Sequence, residues 1–407
     1  MSVTSLKPSE QAWLPLENIR TVGPFYGVTA ERMRNALVGL HAADPTHRAV
    51  SRLDRSGARW EHLDAGAFAL YVSEAVSDLG DWTVDIDEMA SRLLAEPRGH
   101  HPLRVVVGAG YVAVKVSHAY GDAVPVNELL RELVQAAAEG RAATLPSGHR
   151  SIRRPLTRAW LQRFGLWPAR ECAGPEASGE PLRDWSPQLT VLSDRSGEVL
   201  SHLRRWRDER APEVTTTAIT FAAFAGALRD VGLDPDLSGA DFHIDARRYL
   251  EPDVHVDGNF AGAVRLSPRD LTDPRAVHAT LQAELASGRI LGTMLRREAE
   301  IAVRGAPAMP DPYPSKITET PRPRITFSNQ GRHDVLSDLP WTVDAGSRAN
   351  LSVPTLAEPE GITLTTSELN GALHLAATFH GSAYDPEVIA RALDMVCTNP
   401  AGIMALR

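Results

Sequence analysis

The sequence has little cysteine and almost no lysine. Only Cys172 and Cys397 occur in 407 residues, without a C-x-x-C pair or a Cys/His cluster. This scarcity excludes a disulfide framework and a cysteine-based zinc site, and it fits a reducing cytoplasm. Three lysines stand against forty arginines, a skew that we attribute to a GC-rich coding genome rather than to chemistry.

Long apolar runs and excess positive charge are also missing. No stretch approaches the ~18 consecutive apolar residues of a membrane-spanning helix, and the N-terminus lacks the pattern of a signal peptide. The formal net charge of -8 argues against a nucleic-acid binder, which needs a basic face to meet phosphates. We therefore expect a cytoplasmic protein with no membrane span and no nucleic-acid partner.

The length of the chain predicts more than one packed unit. At 407 residues, with 43% apolar and 23% charged side chains, the composition is that of a globular protein too long for one core. A segment rich in proline, glycine and arginine interrupts the periodic pattern near the middle. We predict an N-terminal lobe at 1–165, a crossover linker at 166–187 and a C-terminal lobe at 188–407.

Hydrophobic periodicity predicts several elements. Residues 28–41 have apolar positions at helical spacing behind Thr29, a good N-cap. Residues 105–116 alternate around a glycine turn, which predicts a hairpin, and residues 275–294 favour one helix. Near the C-terminus a strand is followed by a helix that starts at Asp385, with His380 between them.

The stretch "VSHAYGDAVPVNELLREL" combines a titratable pair with a strand-to-helix connection. His118 and Asp122 lie four positions apart, after an apolar alternation and before an apolar helix pattern, and Gly121 allows a tight path. Histidine can take up and return a proton near neutral pH. The spacing alone is expected about once by chance, so a buried histidine in a structural turn is the alternative to a catalytic base.

Two further stretches carry polar residues in the same order as a known family. "SHAYGDA" resembles the H-H-x-x-x-D-G motif of the chloramphenicol-acetyltransferase-like superfamily, which includes condensation domains and polyketide-associated acyltransferases. The segment "IDARRYLEPDVHVDGNF" is similar to the family's D-x-R and G-N-F elements, and "TFSNQG" to a later strand. In this chain those positions are Asp245, Arg247, Gly258, Asn259, Phe260, Ser328, Asn329 and Gly331.

The resemblance implies a fold and an activity. The fold would be α/β, with two similar lobes, each a mixed sheet packed with helices, and an active-site tunnel between them. The enzyme would move an acyl group from a thioester, on carrier-protein phosphopantetheine or on coenzyme A, to a hydroxyl or amine. Specialised-metabolite or lipid biosynthesis is the implied setting, including nonribosomal peptide, polyketide and antibiotic pathways, with no metal and no permanently bound cofactor. A monomer and a carrier-protein partner are expected.

The resemblance also implies residue roles. His118 would be the general base, while Asp122 would pair with an arginine of the other lobe, Arg247 or, in reserve, Arg248, and Gly121 would shape the turn. Candidates for the tunnel wall are Ser117, Tyr120, Gly258, Asn259, Ser328 and Asn329. Two positions depart from the condensation-domain motif: Ser117 replaces a second histidine and Ala123 replaces a glycine. The first departure favours a free-standing ester-forming enzyme.

Two other functions remain open on the sequence. The chain could be a non-catalytic relative that docks a carrier protein or a partner enzyme, or it could cyclise or hydrolyse a tethered thioester. A basic run could receive an acidic carrier protein or coenzyme A phosphates, although an amphipathic segment covering the core explains it as well. The basic run comprises Arg150, Arg153, Arg154, Arg158 and Arg163.

Overall fold

Two mixed β-sheets organise the chain in the computed structural model. The structure describes residues 2–80, 85–97, 99–145, 152–163, 181–236, 238–305, 313–356 and 358–405. Most of the predicted crossover, residues 166–180, lies outside the described residues, and the predicted lobe boundaries stay a prediction. Within the described ranges, no helix combines the length and apolarity needed to cross a membrane.

Sixteen strands are described, most of them short. They are β1 (Ser2–Ser5), β2 (Glu17–Gly23), β3 (Arg52–Asp54), β4 (Arg59–His62), β5 (Val76–Asp78), β6 (Leu103–Gly108), β7 (Tyr111–Ser117), β8 (Leu182–Asp184), β9 (Leu189–Ser196), β10 (Ala240–Asp245), β11 (Ala261–Leu266), β12 (Lys316–Thr318), β13 (Arg324–Arg332), β14 (Ala349–Pro354), β15 (Gly361–Leu369) and β16 (Ala372–His380).

Twelve α-helices accompany these strands in the described ranges. They are α1 (Pro8–Gln11), α2 (Ala30–Ala43), α3 (Ala65–Ala75), α4 (Ile86–Ala95), α5 (Ala123–Glu139), α6 (Arg153–Arg163), α7 (Val199–Arg210), α8 (Thr216–Asp230), α9 (Pro274–Ser287), α10 (Arg289–Arg304), α11 (Pro386–Thr398) and α12 (Pro400–Ala405).

The two large sheets are the cores of two lobes. The first has the order β14-β2-β7-β6-β5, and the second β11-β10-β13-β15-β16-β9. Each is mixed, because β5 runs parallel to β6 in the first and β13 runs parallel to β10 and β15 in the second. Separate hydrophobic clusters fill the two lobes, so the predicted α/β fold with two lobes is confirmed.

One strand from late in the chain joins the first sheet, and one helix packs against both sheets. Strand β14 lies late in the sequence, yet it pairs with β2 of the first sheet, with Ser352 opposite Arg20. Helix α4 packs between the first sheet and β9, and its Asp87 accepts a hydrogen bond from the backbone of Ser193 at 2.7 Å. Side chains of β14 and α4 belong to one hydrophobic cluster, which joins the two sheets.

Several predicted elements are confirmed by the structure, and one is wrong. Thr29 caps α2 by accepting from the backbone of Arg32, and the predicted hairpin is β6 and β7. The single helix predicted over 275–294 is two helices, α9 and α10. Gly288 between them has a φ of 62°, a left-handed conformation that ends a helix and that glycine adopts without steric cost.

Candidate functional site

His118 lies directly after β7, in a cavity between the two sheets. Its backbone N–H donates to the carbonyl oxygen of Leu16 at 2.8 Å, which fixes the connection to α5. The imidazole ring stacks on Trp13, with 4.3 Å between ring centroids and 16° between planes. Because Nδ1 is buried, Nε2 is the ring nitrogen left to face the cavity.

The surroundings of His118 keep its ring neutral. Burial lowers the pKa of His118 below its ordinary 6.5, and the Asp122 carboxylate only partly opposes this effect by raising the pKa. A group with a lowered pKa loses its proton at a lower pH than usual. At neutral pH the ring therefore has an unprotonated nitrogen that can accept a proton.

Asp122 is bound on three sides by groups other than His118. As the N-cap of α5, its Oδ1 accepts from the backbone N–H of Val124 at 3.2 Å. Its Oδ2 accepts from Arg247 Nη1 at 2.7 Å and from the backbone N–H of Phe260 at 2.8 Å. Arg247, and not the exposed Arg248, makes this ion pair, which ties the loop of the first lobe to the second.

The segment Gly258–Phe260 holds the same loop from the other side. Arg247 Nη2 donates to the carbonyl oxygen of Gly258 at 2.7 Å, and Asn259 Nδ2 donates to the carbonyl oxygen of His118 at 2.6 Å. A Cβ at Gly121 would lie 2.4 Å from Pro125 Cγ, so only glycine fits there. These residues position the backbone of His118.

The predicted tunnel residues divide into two groups. Ser328 and Asn329, in the middle of β13, line the cavity together with His118, and Asn329 Nδ2 donates to Thr217 Oγ1 at 2.6 Å. Ser117 and Tyr120 are buried and do not line this cavity. The carbonyl oxygen of Tyr120 instead accepts from Arg48, which also pairs with Asp257. Ala123 opens α5 without a positive φ, so alanine costs nothing there.

Two charged or titratable groups in the cavity were missed from the sequence. His243 on β10 lines the cavity and lies beside Ser328 in register. Burial and, to a lesser extent, the positive charge of protonated His118 lower the pKa of His243 to about 4. The alternation of Phe242 and Ile244, which are buried in the core, could have placed His243 on the opposite, cavity-facing side of the strand.

The second missed group is Arg20, on the cavity-facing side of β2. Its side chain is 1% exposed, and within the described ranges neither Nη1 nor Nη2 has a hydrogen-bond partner. Burial lowers the pKa of Arg20 to about 9, which leaves it charged at neutral pH. No sequence pattern identified it, because β14, which pairs with β2 in the same sheet, comes from a distant part of the chain.

A second cavity adjoins the first at Trp13. Trp13, Ala261 and Gly262 line both cavities, while Asn259 and Arg297 line only the second. Arg297 lies over the Trp13 ring, 5.4 Å from its centroid. The indole ring that stacks on His118 therefore borders both spaces.

Other polar clusters are remote from the His118 cavity. Glu74, His100 and His101 form the one group of three potential metal ligands found in the described ranges, and none of the three lines either cavity. On α6 the apolar side chains of Leu156 and Trp160 are buried among the core residues of the second lobe. Arg150, the first residue of the basic run, lies outside the described residues.

Comparisons with known proteins identify the fold. No family model matches the chain, and no curated protein is detectably similar in sequence. Polyketide synthase associated protein 5 from Mycobacterium tuberculosis superposes with a TM-score of 0.57 at 15% identity, over 98% of this chain and 98% of that chain. Trichothecene 15-O-acetyltransferase from Fusarium sporotrichioides has a TM-score of 0.57 at 12% identity, over 96% of this chain and 92% of that chain.

A condensation domain shares the fold as well. The first condensation domain of the calcium-dependent antibiotic synthetase has a TM-score of 0.56 at 14% identity, over 99% of this chain and 97% of that chain. The chain thus has the two-lobed fold of the chloramphenicol-acetyltransferase-like and condensation-domain superfamily. At these identities the similarity establishes the fold, and it confirms at that level the resemblance seen in the sequence.

Proposed function

We propose that this protein transfers an acyl group from a thioester to a hydroxyl or amine, with His118 as the general base. The observation that carries the proposal is the neutral His118 ring, which faces a cavity bounded by both sheets. An acetyltransferase and a condensation domain with the same fold support an acyl-transfer or condensation-like role.

The proposed reaction needs one proton to move twice. Nε2 of His118 takes the proton of the acceptor hydroxyl or amine as its oxygen or nitrogen forms a bond to the thioester carbonyl carbon. The tetrahedral intermediate then collapses, the carbon–sulfur bond breaks, and the thiolate receives the proton from His118. General-base catalysis of this kind contributes roughly 100- to 10,000-fold to the rate.

Asp122 and Arg247 act as positioning residues in this proposal. Both oxygens of Asp122 accept hydrogen bonds from the protein, from Val124, Arg247 and Phe260, and the charge of Arg247 disfavours protonation of this carboxylate. The pair holds the loop that carries His118 against the second lobe. Asp122 also makes proton uptake by His118 easier, because a nearby negative charge stabilises the imidazolium form.

The donor and its partners are part of the proposal. The acyl group would arrive on the phosphopantetheine of a carrier protein or on coenzyme A, in specialised-metabolite or lipid biosynthesis. One similar structure is described as polyketide synthase associated, and condensation domains belong to synthetases, which favours a carrier protein. No metal and no permanently bound cofactor takes part in the proposed steps.

Hydrolysis of a tethered thioester, or docking without catalysis, is the second candidate. It is favoured by Trp13, whose ring covers one face of the His118 ring and lines both cavities. Transfer between two substrates requires access to His118 from both sides, whereas hydrolysis requires access from one side only. A non-catalytic module would need no access to His118.

Intact-mass analysis of products distinguishes these candidates. Wild type, His118→Ala and the exposed-histidine control His255→Ala are compared over acyl-carrier-protein and acyl-coenzyme A donors with a panel of alcohols and amines. We expect ester or amide product from wild type and His255→Ala, and a loss of about 100-fold or more with His118→Ala. Release of free acid alone would favour hydrolysis, and carrier binding without either product would favour docking.

A further inference from the structure

Arg20 carries a buried positive charge without a protein partner. Its neighbours across the sheet are Val114 on β7 and Ser352 on β14, neither of which is an acid. The only acid of its own strand, Glu17, lies on the other face of β2 and accepts from Arg55 at 2.8 Å and Lys115 at 3.1 Å. A buried charge without a counter-ion destabilises a protein, so Arg20 requires a compensating role.

The acidic side chains of the cavity are already used. Asp122 pairs with Arg247, and Asp245 accepts from the backbone N–H of Arg247 at 2.9 Å and from its Nη1 at 3.3 Å. Neither acid contributes to the pKa of Arg20, which burial alone lowers. The cavity therefore has one guanidinium whose charge no side chain within the described ranges balances.

The other polar groups near Arg20 are uncharged and do not balance its charge. Gln330 Nε2 donates to Ser352 Oγ at 2.8 Å, while the buried Gln330 Oε1 has no partner in the described part of the chain. His333 is neutral, because burial and the charge of Arg20 lower its pKa well below the ordinary value. Asn18 lies two residues before Arg20 on the same side of β2 and also lines the cavity.

The space beside Arg20 is the same cavity that contains His118. Its volume is about 120 Å³. A cavity needs only about 10–15 Å³ to hold one water, so there is room for a group of several non-hydrogen atoms. A carboxylate matches a guanidinium in charge and in planar geometry, with two parallel N–H···O bonds.

We propose that Arg20 binds a carboxylate of one of the two substrates and thereby orients it in the His118 cavity. A single unpaired guanidinium balances the single negative charge of a carboxylate, whereas a phosphate dianion would remain half neutralised. The identification of the ligand as a substrate rests on the proposed acyl transfer, but the binding itself does not. The carboxylate belongs either to the acyl group or to the acceptor.

Thermal unfolding with a matched pair of small probes tests the binding. Butyrate and its neutral analogue butyramide are added at equal ionic strength to wild type, Arg20→Met, Arg20→Lys and the exposed control Arg92→Met. We expect butyrate to raise the midpoint in wild type and Arg92→Met, butyramide to leave it unchanged, and Arg20→Met to lose the response. Arg20→Lys retains the charge and should retain a weaker response.

The unliganded Arg20→Met variant supplies a second readout. Removing a buried charge that has no partner should raise its unfolding midpoint above that of wild type, and circular dichroism shows whether the fold is kept. The proposal is overturned if wild type does not respond to butyrate, or if Arg20→Met responds equally. The same titration on His118→Ala should still show the response, so loss of acyl transfer and loss of anion binding are separate results.

Substrate pairs then identify which partner carries the carboxylate. A thioester with a terminal carboxylate is compared with its methyl-ended analogue, and a hydroxy acid with the corresponding alcohol. For one pair, the kcat/KM of the carboxylate substrate divided by that of its neutral analogue should be at least tenfold lower in Arg20→Met than in wild type. That pair shows which substrate carries the carboxylate. Equal ratios in wild type and Arg20→Met for both pairs would contradict a role in substrate recognition.

Discussion

At the scale of single residues, the site depends on how its surroundings change ordinary side chains. His118 and His243 share one cavity, and burial lowers the pKa of both, so both rings are neutral at neutral pH. Arg20 remains charged in the same space. One residue that can accept a proton and one that can bind an anion thus lie in a cavity bounded by both lobes.

The pH dependence of transfer should follow the lowered pKa of His118. A general base works when it is unprotonated, so activity should persist as the pH falls from neutrality through 6.5, and it should decline only below that value. In Asp122→Asn the carboxylate no longer raises the pKa of His118, so the decline in activity should occur at a still lower pH. Profiles of kcat/KM against pH measure both, and a decline centred above 6.5 in wild type would contradict the assignment.

Gly121 should not tolerate a methyl group. The Cβ of Gly121→Ala would lie 2.4 Å from Pro125 Cγ, a ring atom that cannot rotate away, so we expect destabilisation by about 1–3 kcal/mol. Gly66→Ala on α3 is the control, because its nearest neighbour would be at 3.6 Å, an ordinary contact. Urea unfolding measures both variants, and equal stability would show that the turn adapts.

At the scale of elements, the connection from β7 to α5 is held by the second lobe. Asp122 is at once the N-cap of α5, the partner of Arg247 and the acceptor for Phe260. The side chains of Asp122 and Arg247 are only 10% and 17% exposed, so solvent screens the pair little. The position of His118 is therefore coupled to the contact between lobes.

Truncation of Asp122 should reduce stability strongly. Asp122→Ala removes the shorter and more buried of the two ion pairs of Arg247 and leaves only the pair with the exposed Asp245 at 3.3 Å. We expect a loss of up to about 3–5 kcal/mol for the buried pair, and of about 1 kcal/mol for the cap. Asp122→Asn keeps a good N-cap and should lose less. Urea unfolding of Asp122→Ala, Arg247→Met and the double variant tests the coupling. The double variant should lose less than the sum of the single ones, and simple additivity would show that the pair does not interact.

Local sequence pattern predicted some elements well and others poorly, for physical reasons. The β6–β7 hairpin and α2 depend on nearby residues, and alternation, turn glycines and the Thr29 cap identified them. Helix α9 ends and α10 begins at Gly288, because the backbone of this residue is left-handed. The apolar spacing on both sides of Gly288 is compatible with one continuous helix, so the sequence pattern did not show the break. The place of Arg20 depends on β14, about 330 residues away, and no local pattern carries that pairing.

At the scale of the whole molecule, stability should depend on several neutral histidines. Burial lowers the pKa of His101, His243, His374 and His380 to about 4, each below the unfolded value of 6.5. Between pH 6.5 and 4 these four histidines bind protons in the unfolded chain and not in the folded chain, so they make stability fall as pH falls through that window. Burial raises the pKa of Asp87 to about 6 and that of Glu298 to about 7, and these two carboxyls have the opposite effect.

Urea unfolding at several pH values measures this effect. His374→Gln, which removes one such group, should reduce the slope of stability against pH by up to about 1.4 kcal/mol per pH unit. The control His255→Ala replaces an exposed histidine and should leave the slope unchanged. A slope that is the same in His374→Gln and in wild type would contradict the assignment of a neutral, buried His374.

The central claim is that His118 is the base in acyl transfer, and single-turnover rates test it most directly. Wild type, His118→Ala and His243→Ala, each checked for folding by circular dichroism, are compared with the best donor and acceptor from the product panel. The account predicts a loss of about 100-fold or more with His118→Ala and a smaller loss with His243→Ala. A His118→Ala variant that keeps the wild-type rate would contradict it, as would a larger loss with His243→Ala.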